Sequence, residues 1–182
     1  AKLHRAAPAT ERRWTIHDET EMLRARLLAA ADARADLAGE ILRVLSLSER
    51  AASRLPARAD TLVHRDFYQD QLLLDGDAVT IVDLDLCARG DPAIDAGNFA
   101  AHIAELALRR HGDPGALAAL ERAFTERFLA LSPSVSPESV ETYAALTLAR
   151  HVSISHAITA RRATTAPLTE LARSRLERVL QF

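Results

Sequence analysis

The sequence predicts an α+β chain that is predominantly α-helical, with one short β-hairpin near its middle. Three observations lead there. Apolar residues recur at helical spacing before residue 55 and again after residue 92. Between these segments the pattern changes to apolar runs at 72–74 and 79–84 on either side of Asp75-Gly76, a turn dipeptide. The third is size: 182 residues, 48% of them hydrophobic, suffice for the core of one domain or of one large lobe.

Each element has its own signal. Asp18 with Glu21 three residues later reads as a capping box, and Leu23, Leu27 and Ala30 carry a first helix to about residue 35. Ile41, Val44, Leu45 and Leu47 give the apolar face of a second helix over 38–54, which Pro56 ends. Leu62 and Val63 lead into His64, and the hairpin follows. Asp91 before Pro92 reads as an N-cap and first helical residue, with Ala96, Phe99, Ala100 and Ile103 on the buried face of the next helix. Beyond Gly112, Leu117, Leu120, Phe124, Phe128 and Leu131 form one stripe. Pro137 opens a helix reaching about residue 162, and Pro167 starts the last. That last helix carries Leu168, Leu171, Ala172, Leu176, Val179 and Leu180 on one side, and its Arg173 and Glu177 can pair across one turn.

Composition narrows the function. A net charge of -2 from 25 acids and 23 bases, with no basic block and few aromatics, argues against a nucleic-acid partner. Cys87 is the only cysteine, so neither an internal disulfide framework nor a cysteine-based zinc site is available. No apolar run approaches the ~18 residues of a membrane span and no signal-peptide pattern opens the chain, so a cytoplasmic protein without a membrane partner is expected. Lys2 is the only lysine among the 23 bases, which points to a GC-rich bacterial coding sequence rather than to a function.

The chemistry concentrates in residues 62–95, which hold eight aspartates among runs of Leu, Val and Ile. His64-Arg65-Asp66-Phe67, with Gln71 five residues after Asp66, follows the order H-R-D-L-x-x-x-N of a kinase catalytic loop. Asp83 lies 17 residues after Asp66, at the end of the apolar run 79–82. Phosphoryl transfer needs a group that orients the attacking hydroxyl and oxygen ligands that hold magnesium on the nucleotide phosphates. Asp66 and Asp83 can fill those two posts.

Taken together, H-x-D-x-x-x-x-N, a following hydrophobic-Asp pair and G-D-P-x-x-D make residues 62–104 resemble the aminoglycoside phosphotransferase and choline kinase-like family. The resemblance implies the carboxy-terminal lobe of a kinase-like fold: leading helices over 1–60, catalytic loop and metal hairpin over 61–91, and a helical subdomain over 92–182. It implies Asp66 as the catalytic residue, Asp83 as the principal Mg2+ ligand within Val82-Asp83, and Gln71 at the second ligand position. Gly90, Asp91, Pro92 and Asp95 complete the match, with His64, Asp91 and Asp95 supporting the site rather than reacting. Asp85, on the same strand face as Asp83, either touches the metal or caps the following loop. The function so implied is transfer of the γ-phosphate of ATP to the hydroxyl of a small molecule.

The sequence departs from the family in three places. Gln71 is one methylene longer than the family's Asn. Arg65 stands where these kinases often carry Gly, yet no A-P-E segment follows as in a protein kinase. Finally, no G-x-G-x-x-G loop, V-A-I-K-like strand or GxxxxGK precedes the catalytic loop. Residues 1–4 resemble the helix after the interlobe linker, so the expected partner is a missing amino-terminal lobe of the same protein. Gln71 and the missing lobe also motivate an alternative: a non-catalytic helical binding or regulatory module on a kinase-like scaffold. His102 with Glu105, and His151 with His156, lack a complete ligand set for a transition metal and read as packed or solvated histidines.

Overall fold

The computed structural model describes residues 2–5 and 10–181, so Ala1, part of the segment read as the post-linker helix, lies outside the described residues. Within them the chain is α+β and mostly helical. A 3-10 turn at Leu3–Arg5 leads to α1 (Ile16–Ala33) and α2 (Ala38–Ala52). Strand β1 (Thr61–Val63), a 3-10 turn (Gln69–Gln71), the hairpin β2 (Leu72–Asp75) and β3 (Ala78–Ile81), and β4 (Ala88–Gly90) follow. The rest comprises α3 (Ala93–His111), α4 (Ala118–Leu131), α5 (Pro137–Ala157), a 3-10 run (Thr159–Thr164) and α6 (Thr165–Gln181).

Helix α5 is the axle of the fold, packed against α1, α2, α3 and α6. A helix buried on all sides has no polar stripe, which is why Val140, Ala144, Ala145, Leu146, Leu148, Ala149 and Val152 run almost continuously apolar. Its approach to α3 is close enough to demand glycine at position 97. A Cβ there would lie 2.6 Å from both the Ala144 backbone nitrogen and the Tyr143 Cβ. Ser136 caps α5, its hydroxyl accepting from the Ser139 N–H at 3.1 Å, and Pro137 supplies the pre-set φ of the first turn.

Several boundaries differ from the expectation. Helix α1 starts at Ile16, because Thr15 is the N-cap and Asp18 the N3 residue of the box. Asp18 Oδ2 accepts from the Thr15 N–H and hydroxyl, each at 2.7 Å, and these bonds hold its carboxyl below the ordinary value. Strand β3 ends at Ile81 rather than residue 84, since Asp83 turns the backbone left-handed with φ 59°. Asp83 and Asp85 therefore share no strand face. A strand that was not foreseen, β4, pairs antiparallel with β1 in the register Thr61↔Gly90, Leu62↔Arg89, Val63↔Ala88. On α4 the expected stripe is only partly covered: Phe128 is buried while Leu120 and Leu131 stay exposed. Helix α5 stops at Ala157, short of residue 162, where Ile158 turns extended. Ser155 Oγ donates to Thr165 Oγ1 at 3.0 Å across the corner, and α6 begins two residues before Pro167.

Candidate active site

The catalytic-type loop leaves β1 at Val63 and is fixed from below by one carboxylate. Asp95, in the first turn of α3 and 2% exposed, accepts from the His64 N–H through Oδ1 at 3.0 Å and Oδ2 at 2.9 Å. Its Oδ1 also accepts from the Arg65 N–H at 2.8 Å, and its Oδ2 pairs with His4 Nε2 at 2.8 Å. Charge-assisted bonds to two successive amides force the chain to turn sharply at that point. Arg65 accordingly takes φ 73°. A non-glycine residue there costs about 1–2 kcal/mol, and the Arg65 side chain offsets this by lying 3.5 Å over the Trp14 ring and donating from Nη1 to Leu86 O at 3.2 Å.

The His64 ring is fully buried, and its Nε2 meets Val82 O at 2.9 Å, tying the loop to the residue before Asp83. After the turn, Asp66 stands half-buried and Phe67 lines an apolar groove of about 580 Å3 together with Ile81, Phe99, Phe124 and Phe128. Ring contacts of Phe67 with Phe99 at 5.3 Å and of Tyr68 with His102 at 4.2 Å pin the loop to α3. The loop is thus held on both sides of Asp66.

The hairpin brings the second acid back. Gln71 O accepts from the Val82 N–H at 3.1 Å, and Gln71 Nε2 donates to Asp83 Oδ2 at 3.4 Å. Asp83 is exposed and Gln71 is buried. The Tyr68 phenol is pushed above its ordinary pKa by burial first, then by Asp66, Asp70 and Asp83. The His64–Val82 bond and the Gln71 contacts join the loop to the hairpin end that carries Asp83.

Not every expected residue joins them. Asp85 sits exposed in the turn after Asp83, and what is fixed there is its backbone carbonyl, which accepts from Arg12 Nη1 at 2.9 Å. Asp91 is 3% exposed and belongs to the floor: its Oδ1 accepts from the Ala93 N–H at 2.9 Å, and Oδ2 has no hydrogen-bond partner among the described residues. Burial raises the Asp91 carboxyl above its ordinary value despite that bond. Among the described residues no group of three or more His, Cys, Asp or Glu side chains gathers as a metal site. His102 stacks on Tyr68 and meets the His151 ring edge-on at 4.5 Å. Sequence reasoning missed Arg12 and Trp14, in the segment before α1, and Asn98, on α3, which touch the loops across the fold and carry no spacing signal.

A helical body that presents a pinned HRD-type loop beside an acid-tipped hairpin is the arrangement of enzymes that move phosphoryl groups. The sequence matches the phosphotransferase enzyme family over residues 1–135, and the chain belongs to that family. Among solved structures, the apo form of a thermostable mutant of aminoglycoside phosphotransferase APH(4)-Ia is similar at 18% identity with a TM-score of 0.49. The match covers 80% of this chain and 44% of that one, so the chain spans less than half that protein's length. No curated protein matches the sequence. Among the described residues no helix is long and apolar enough to cross a membrane.

Proposed function

We propose that this chain is the catalytic carboxy-terminal lobe of an ATP-dependent small-molecule kinase, completed by an amino-terminal lobe of the same protein that clamps the nucleotide. One juxtaposition carries the reading: His64 Nε2 meets Val82 O at 2.9 Å, which ties the loop bearing Asp66 to the residue before Asp83, and Gln71 Nε2 lies 3.4 Å from Asp83 Oδ2.

The donor chemistry fits magnesium. A carboxylate and an amide oxygen are hard ligands, and the exposure of Asp83 leaves room for phosphate oxygens and water to complete the shell. Asp83 and Gln71 would hold the ion. Bound there, the ion would neutralise charge on the phosphates of the nucleotide.

The chain's own residues do the rest. Asp66 accepts the hydrogen bond of the acceptor hydroxyl and orients a lone pair of its oxygen toward the γ-phosphorus. As the new O–P bond forms and the bond to the β–γ bridging oxygen breaks, the hydroxyl proton passes to the Asp66 carboxylate, leaving a phosphate monoester and ADP. Asp95 and His64 take no proton in this scheme; they hold the backbone that aims Asp66. The acceptor is a small molecule bearing a hydroxyl.

In the full-length protein, Asp66→Ala is expected to lower the transfer rate at least ~100-fold, as loss of a positioned proton acceptor implies. ADP release by parent and variant, measured across a panel of hydroxyl compounds, tests it. Equal, measurable release by both would remove Asp66 from the mechanism, and no release by either would favour the non-catalytic module.

A further inference from the structure

The two residues that flank Asp66 are joined to each other by a second route, which never passes through the catalytic-type loop. Starting at Arg65, the guanidinium covers the Trp14 ring at 3.5 Å. The Trp14 indole Nε1 donates to Glu19 Oε2 at 2.9 Å. Glu19 Oε1 faces Arg150 Nη1 at 3.6 Å, and Arg150 Nη2 donates to Asn98 Oδ1. Asn98 Nδ2 then donates to Phe67 O at 3.1 Å. The route returns to the loop two residues from where it left.

Three properties make this route more than a list of contacts. Its members come from the segment before α1, from α1, from α5 and from α3, so it ties three helices of the core to one peptide segment. Its middle is buried, with Glu19 at 2% and Asn98 at 0% exposure. A buried ion pair is costly to break from one side, so loss of a member leaves an uncompensated charge or donor. Lastly, Arg65 carries a left-handed φ of 73°, so the loop is held in a conformation that it would otherwise relax from. The backbone at Trp14 is fixed as well, its backbone N–H donating to Arg89 O of β4 at 2.9 Å.

We propose that Trp14, Glu19, Arg150 and Asn98 are positioning residues that fix the direction of Asp66 by bracing the peptide on both sides of it. The proposal rests on the reading of Asp66 as the catalytic residue. The brace explains why Arg is accepted at a position whose backbone favours glycine: its side chain is the first link. It also makes a serial prediction, since cutting the ring at any one link frees the same segment.

The test uses the full-length protein with Trp14→Phe, which keeps a ring face under Arg65 but removes the indole donor, with Asn98→Ala, and with the double variant. Hydrogen exchange of residues 64–68 is expected to speed up about 10-fold in each single variant, with exchange in α5 unchanged. The double variant is expected to exceed the faster single by no more than about twofold, because coupled sites are not additive. The transfer rate is expected to fall with the KM for ATP held within about twofold. Unchanged exchange at 64–68, or single effects that multiply in the double variant, would overturn the brace. Should Asn98→Ala fail to fold, Glu19→Gln cuts the ring at another link and is read the same way. Faster exchange at 64–68 with an unchanged transfer rate supports the brace and sinks the catalytic reading of Asp66.

Discussion

Replacing Asp95 with alanine probes the joint on which the whole site sits. In the native chain this 2%-exposed carboxylate serves three donors: the His64 N–H at 3.0 and 2.9 Å, the Arg65 N–H at 2.8 Å and His4 Nε2 at 2.8 Å. A hydrogen bond to a charged group contributes about 1.5–3 kcal/mol, and each buried donor left without an acceptor costs about 1–3 kcal/mol. Asp95→Ala orphans two backbone donors at once, so a loss of about 3–6 kcal/mol is expected, a large share of the ~5–15 kcal/mol that holds a domain together. Asp95→Asn keeps one oxygen for the two amides and turns an NH2 toward His4, whose Nε2 can accept in its other tautomer. Its expected cost is about 1–2 kcal/mol. Urea titrations of the full-length parent and both variants, read by circular dichroism, give the differences directly. An alanine variant within about 1 kcal/mol of the parent, or an asparagine variant as damaged as the alanine, would refute the assignment of Asp95 as the anchor of the loop.

Two further predictions concern the helical body. The imidazole of His102 is pushed down to about 3, by burial first and then by Arg150, Arg161 and Arg109. His151 lies well below its ordinary value, through burial and then His102 and the same three arginines. With folded values below the unfolded one, their stabilising contribution is complete above pH ~6.5 and is lost as pH falls toward the folded values, at about 1.4 kcal/mol per pH unit per group. At pH 5 that amounts to about 2 kcal/mol for His102, and His102→Phe, which preserves a ring against Tyr68, is expected to remove that share of the acid sensitivity. Melting curves between pH 7.5 and 5 check this, and an unchanged pH slope in the variant would contradict it. Gly97→Ala is expected to cost about 2–3 kcal/mol, as its methyl would meet α5 backbone 2.6 Å away that cannot swing aside. An unchanged denaturation midpoint would mean that α3 and α5 have slack between them.

The helices were legible because each buries one face or announces its ends: the stripe of α2 with Pro56, Asp91-Pro92 before α3, and Ser136-Pro137 before α5. Strand β4 was not, because Ala88-Arg89-Gly90 has neither alternation nor β-branched residues and becomes a strand only by pairing with β1. The end of α5 was also hidden, since the break at Ile158 has no Gly or Pro and depends on a hydroxyl contact between Ser155 and Thr165. At the candidate site, the motif and the family resemblance it carries single out Asp66, Gln71, Asp83 and Asp95 as candidates because loop and hairpin are local in the chain. The fixed backbone of Asp85, the supporting turn made by Arg12 and the brace through Trp14, Glu19, Arg150 and Asn98 are long-range, joining residues as far apart as positions 19 and 150. No pattern in one sequence carries that information; packing does.

The central claim is that the loop acid and the hairpin acid serve one bound phosphate group. Paramagnetic broadening by Mn2+ with ATP, recorded on the full-length protein, tests it most directly, because the effect falls off steeply with distance from the ion. The account predicts that amide signals of residues 66–71 and 82–85 broaden together, and that Asp83→Asn abolishes both effects. Broadening at the hairpin alone, or at residues remote from both, would contradict it.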